Sequence, residues 1–148
     1  MAEESGFQQD AERYRCEEPK QLCDGEDLRL FFEASTIWLE KNVALINSLN
    51  VFPVPDGDTG INMLLTMRSA LKEVAACPEQ TASAVMDAMA HGALMGARGN
   101  SGVILSQWLR GMAQSLAGKN AFNAQEFAEA LTQGSSAAYK GVVRPVEG

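Results

Sequence analysis

Two carboxylates one residue apart, Asp56 and Asp58, stand in the stretch Asn50-Val51-Phe52-Pro53-Val54-Pro55-Asp56-Gly57-Asp58-Thr59-Gly60-Ile61-Asn62. Pro53 and Pro55 restrict the backbone on the approach, and Gly57 and Gly60 allow conformations that other residues resist. Carboxylates on a stiff loop suit a hard cation such as Mg²⁺, which takes oxygen ligands at fixed geometry and keeps positions for water and phosphate. The pattern points to phosphate chemistry. The same residues can also be a turn and a helix cap, since Asp56-Gly57 is a standard turn dipeptide, but capping explains one carboxylate and rarely needs both. Thr59 is placed to cap or to touch phosphate, and Asn62 lies one helical turn from Asp58 on the same side.

A second glycine-rich turn, Gly96-Ala97-Arg98-Gly99-Asn100-Ser101-Gly102, offers close backbone approach at Gly99 and Gly102 and hydrogen bonds from Asn100 and Ser101. Arg98 could add a phosphate contact. Both turns lead into apolar-periodic segments, so each ends at a helix N-terminus with unpaired N–H groups and partial positive charge, a candidate anion site. The plain alternative for the second turn is a helix–helix connection built from ordinary turn residues. His91, the only histidine, has no acidic or cysteine partner nearby in sequence and reads as a packing or surface residue. Ser101 lacks a visible base and does not sit on a strand-to-helix elbow, so covalent catalysis is not supported.

The elements that must position these loops are helices. Asp24 and Asp27 can cap a helix whose apolar positions recur from Leu28 through Phe31, Phe32, Trp38, Leu39, Leu45 and Ile46 to Leu49; Trp38 and the phenylalanines are read as core. A second helix starts at Asp58 or Thr59 and stops at Cys77-Pro78. Thr81 caps a third, closed by Gly96. A fourth follows the second glycine turn, and Asn123 with Glu126 opens a fifth through Tyr139. No segment alternates with period two for long, so the predicted architecture is all-α.

Of the net charge of −7, nine acids against three bases between Met1 and Asp27 contribute −6. Residues 1–22 read as an acidic, disordered or loosely docked leader, and 23–148 as one helical domain. With no basic stripe, nucleic-acid binding has no electrostatic source. Cys16, Cys23 and Cys77 show no CxxC pair and suit a reduced cytoplasm. No apolar run reaches the ~20 residues of a membrane span.

Together, LNVFPVPDGDTGINM (Leu49 to Met63) and MGARGNSGVILSQ (Met95 to Gln107) resemble the nucleotide-binding domain of the dihydroxyacetone-kinase-like family. The fatty acid kinase branch, through the N-terminal kinase domain of its ATP-binding subunit, is the most similar. The resemblance runs from about Gly25 to Gly148. It implies an antiparallel helical barrel that holds ATP or ADP at one end through Mg²⁺ on Asp56 and Asp58. By the same analogy Thr59, Gly60, Asn62, Gly99, Asn100, Ser101 and Gly102 line the phosphates and ribose. Dihydroxyacetone kinases carry a third aspartate shortly before the pair; here Asn50 is the nearest oxygen donor, so Asn50, a phosphate or a water completes the shell. Ile61 stands where the fatty-acid branch commonly has threonine.

The stretch from Tyr139 to Gly148 resembles a segment where family members continue into helices that complete the barrel and the nucleotide pocket. On that reading the chain is cut short, binds nucleotide poorly, exposes apolar helix faces and self-associates as a homo-oligomer. The expected activity is transfer of the γ-phosphoryl of ATP to a fatty-acid carboxylate presented by a separate fatty-acid-binding protein. One alternative is a dihydroxyacetone (glycerone)-type kinase subunit. Another is a non-catalytic helical interaction module in which the Asp-Gly-Asp turn only caps.

Overall fold

The computed structural model of the chain describes residues 20–52 and 54–142. The leader expectation for residues 1–22 therefore falls almost wholly outside the described residues, as do Pro53 and residues 143–148. The described chain is an all-α bundle in which the elements run β1 (Cys23–Asp24), α1 (Gly25–Ser48), α2 (Thr59–Ala76), α3 (Ala82–Met95), α4 (Gly99–Ser115), β2 (Ala121–Phe122) and α5 (Ala124–Lys140).

Short-range capping chemistry sets most helix starts. The Asp24 side chain accepts from the N–H groups of Glu26 and Asp27 while Asp27 accepts from the Asp24 N–H, a reciprocal pair that nucleates α1. Thr81 caps α3 through the Ala84 N–H at 3.2 Å, and Asn123 with Glu126 forms a second reciprocal box at the start of α5. Cys77, ahead of Pro78, turns extended at ψ 116 and ends α2. The Arg29 guanidinium donates to the carbonyls of Val74, Cys77 and Glu79, which fastens the α2–α3 turn onto α1.

The core lies where α1 to α4 meet. Leu28 and Phe32 pack with Met67, Val74, Met86, Met89, Leu109 and Met112, and α5 adds Ala130. Full burial of each large side chain contributes about 1.5–3 kcal/mol, so this cluster dominates the stability of the bundle. Gly111 on α4 and Gly134 on α5 let these two backbones approach closely; a Cβ at Gly111 would stand 2.5 Å from the Gln133 carbonyl.

Two expectations change. Trp38 and Phe31, read as core, are 69% and 47% exposed, because α1 turns only the Leu28, Phe32 and Thr36 side inward. A two-residue antiparallel pairing, Cys23 with Phe122 and Asp24 with Ala121, ties the start of α1 to the start of α5, too short for period-two reading to find. His91 is exposed on α3, as expected of a surface residue. Cys23 and Cys77 are free thiols. Among the described residues no helix is long and apolar enough to cross a membrane.

Candidate functional site

The start of α2 is capped from a distance. Asp58 occupies the N-cap position, yet its side chain makes no cap hydrogen bond. Asn50 and Asn47 do that work from the end of α1. The Asn50 Oδ1 accepts from the N–H groups of Asp58 at 3.1 Å and Thr59 at 3.3 Å, and the Asn47 Oδ1 accepts from Gly60 at 2.8 Å and Ile61 at 3.3 Å. The Asn50 amide also donates to the Val54 carbonyl at 3.3 Å, holding the loop that carries the carboxylates. Four N–H groups that would otherwise attract an anion are thus satisfied by neutral amide oxygens. The carboxylates of Asp56 and Asp58 are left free of capping, and among the described residues no ion pair involves either.

The start of α4 is the opposite case. Arg98 takes the N-cap position without a side-chain cap bond, and its own N–H donates to the Thr66 Oγ1 at 3.2 Å. The Thr66 hydroxyl, fully buried, in turn donates to the Asn62 carbonyl at 2.8 Å, so one side chain on α2 sets where the second turn begins. Gly99 adopts φ +59, the left-handed region, and a Cβ there would stand 2.5 Å from the Asn62 Nδ2. Only glycine meets both requirements without strain. The first N–H groups of α4 precede the first intrahelical donor, Gly102, whose N–H reaches the Arg98 carbonyl at 3.0 Å. Helix polarity and open N–H groups make this end attractive to an anion.

The two starts face one another across a cleft of about 400 Å³ lined by Asn50, Phe52, Val54, Asp56, Asp58, Thr59, Asn62, Gly99, Asn100, Ser101 and Ile104. Eight of the ten residues singled out from the sequence line it; Gly60 and Gly102 do not. Gly60 is buried where α2 crosses α1, with a Cβ position 2.8 Å from the Val43 carbonyl, and Gly102 is buried 2.4 Å from the Thr66 Oγ1 by the same measure. Their smallness serves helix packing. The Ser101 hydroxyl donates to the Thr59 carbonyl at 3.5 Å and so links the two loops. Asn50 lines the cleft, but its oxygen is committed to the α2 cap. Sequence reasoning missed Asn47 and Thr66, whose partners lie 13 and 32 residues away.

Among the described residues no three His, Cys, Asp or Glu side chains come together as a ready-made metal cluster. A cation at Asp56 and Asp58 would therefore complete its shell with water or ligand oxygens, as Mg²⁺ does when it binds with phosphates. A larger cavity, about 630 Å³, lies between α1 and α5 beside Phe31, Phe122 and Phe127, away from both glycine turns. Its walls are largely apolar, with the Lys20–Asp27 pair on its rim.

Residues 53–148 match the DAK2 domain. Protein YloV of Bacillus subtilis is 48% identical over 125 residues, covering 84% of this chain and 23% of YloV. An uncharacterized protein of Staphylococcus epidermidis is 49% identical over 110 residues, covering 74% of this chain and 20% of its own length. An uncharacterized protein of Staphylococcus aureus is 47% identical over 110 residues with the same coverage. The chain spans about a fifth of the length of these curated relatives. Since the match takes in the Asp56–Asp58 pair, the second glycine turn and most of the cleft between them, the chain belongs to the DAK2 domain family of dihydroxyacetone-kinase-like proteins.

Proposed function

We propose that the cleft binds a Mg²⁺–nucleotide complex and that residues 23–148 form the nucleotide-binding unit of an ATP-dependent phosphotransferase. One observation carries this reading: two carboxylates relieved of capping by Asn47 and Asn50 face an uncapped helix N-terminus across a cleft of about 400 Å³. A cation site and an anion site in one cavity suit a metal–phosphate ligand better than either ion alone.

In this reading Asp56 and Asp58 hold the metal. Asn50 joins its shell only by releasing the α2 cap, and otherwise acts by fixing Asp58. Thr59, Asn62, Asn100 and Ser101 supply hydrogen bonds to phosphate and ribose, while the backbone of Gly99 to Ser101 meets the phosphates. Gly60 and Gly102 contribute by holding the loops against their neighbouring helices. Phe52, Val54 and Ile104 offer apolar wall. When bound, Mg²⁺ neutralises charge on the transferring phosphoryl group, and such transfer depends on alignment and electrostatics more than on a protein nucleophile.

The acceptor we propose is a fatty-acid carboxylate presented by a separate binding protein, with dihydroxyacetone as the alternative that DAK2 membership supports equally. Two measurements separate these readings from a non-catalytic helical module. Saturating Mg·ATP should raise the melting temperature of the chain by mass action, and the absence of a shift would sink nucleotide binding. Phosphoryl transfer should then be assayed with the chain, and with a full-length relative such as protein YloV, against candidate acceptors. Label on dihydroxyacetone and never on fatty acid would overturn the fatty-acid reading alone.

A further inference from the structure

One side of α2 carries three polar residues, Asn62, Thr66 and Ser69, at four- and three-residue spacing, and the turn from α3 to α4 lies along it. Each meets a glycine of that turn. A Cβ at Gly96, Gly99 or Gly102 would strike the Ser69 Oγ, the Asn62 Nδ2 or the Thr66 Oγ1 respectively. Among the three, Thr66 is the one that bonds to the turn. Its buried hydroxyl donates to the Asn62 carbonyl at 2.8 Å and accepts from the Arg98 N–H at 3.2 Å. A helical threonine commonly donates to the carbonyl four residues before it, and that bond alone would need no explanation. The second bond reaches another helix. One proton and two lone pairs let the hydroxyl hold both partners at once. Arg98 stands immediately before the open N–H groups of Gly99, Asn100 and Ser101, so anchoring its N–H fixes where those groups point.

We propose that Thr66 is a positioning residue: it sets the spacing between the carboxylates of Asp56 and Asp58 and the start of α4, and so governs affinity for a ligand that touches both. The inference rests on the Mg²⁺–nucleotide reading of the cleft. Asp58 caps the start of α2 and Thr66 lies about two turns along the same helix, so one rigid element references both halves of the cleft. The Ser101–Thr59 bond, at 3.5 Å, is the weaker of these two links between α4 and α2. A ligand held by one half alone is insensitive to the spacing. A metal-bound diphosphate bridges the halves, and its affinity depends on their being set in advance.

Calorimetric titration of ADP into the chain and into Thr66→Val, each with and without Mg²⁺, tests the proposal. Valine keeps the shape of threonine and leaves the Arg98 N–H without its acceptor. The factor by which Mg²⁺ strengthens ADP binding should fall about tenfold, the effect of one lost hydrogen bond, while Mg²⁺-free ADP affinity changes by less than about threefold. Thr66→Ser, which keeps the hydroxyl, should recover most of the gain. Gly102→Ala, which crowds the hydroxyl without removing it, should lower the gain as well and replaces Thr66→Val if valine prevents folding. Amide hydrogen exchange without ligand gives a second readout: in Thr66→Val the Arg98 amide should exchange about tenfold faster, while core amides such as Met89 keep their protection. A chain that binds no ADP with Mg²⁺ overturns the reading of the cleft and this proposal with it. A Mg²⁺ gain that survives both Thr66→Val and Gly102→Ala overturns the role of Thr66 alone, and so does an equal loss in Thr66→Ser.

Discussion

The N-termini of α2 and α4 look into the same cleft and are completed in opposite ways. At α2, Asn47 and Asn50 consume the N–H groups of residues 58–61 and leave two carboxylates idle. At α4 no side chain caps the helix, and Gly99 at φ +59 bends the backbone so that its start opens to the cavity. Acidic residues at an N-terminus usually answer to the helix dipole. Here neutral amides do so, which lets one helix start present negative charge to a cation while its neighbour presents positive potential to an anion.

The contrast can be broken from either side. Replacing Asp56 and Asp58 together with Asn should remove the Mg-dependent rise in melting temperature on adding nucleotide, a rise equivalent to roughly 2.7 kcal/mol for a ligand at a hundred times its dissociation constant. Stability without ligand should hold. Gly102→Ala places a methyl 2.4 Å from the Thr66 Oγ1 and should cost about 1–3 kcal/mol in chemical denaturation, because the hydroxyl it strikes also positions Arg98. Asn47→Ala and Asn50→Ala should each cost about 1 kcal/mol, the ordinary loss of a cap, whereas Asp58→Ala should stay within about 0.5 kcal/mol although Asp58 holds the N-cap position. If Asp58→Ala proves as costly as Asn47→Ala, the division of labour at α2 is wrong.

The smallest effect is a pH dependence far from the cleft. Hydrogen bonds from Lys20 and from the Asp24 backbone hold the Asp27 carboxyl below its ordinary value of 3.8. A depressed carboxylate stabilises the fold above its unfolded pKa and loses that contribution as pH falls through the folded value. Asp27→Asn should therefore flatten only the part of the stability profile below about pH 4, slightly, since the pair is solvent-exposed.

Features written in neighbouring residues could be read from the sequence. The caps at Asp24, Thr81 and Asn123 reach two or three residues along the chain, and each was visible with the apolar period behind it. Both loops were legible for the same reason: prolines, glycines and carboxylates state their geometry locally. The reach of Asn47 to Gly60 and of Thr66 to Arg98 was not, because a side-chain amide or hydroxyl shows no partner until the helices have packed. Gly60 and Gly102 looked like phosphate-approach glycines, yet they sit in helix crossings, and sequence alone cannot separate closeness to a ligand from closeness to another backbone. Trp38 escapes a sequence reading on similar grounds: on a helix with two apolar sides, only packing decides which side is buried.

Calorimetric titration of ADP into the chain, with and without Mg²⁺, tests the central claim most directly. If the cleft joins a cation site at Asp56 and Asp58 to an anion site at α4, ADP binding should strengthen markedly with Mg²⁺, and the Asp56→Asn, Asp58→Asn pair should abolish that gain. ADP affinity indifferent to Mg²⁺, or a Mg²⁺ gain that survives the double substitution, would contradict it.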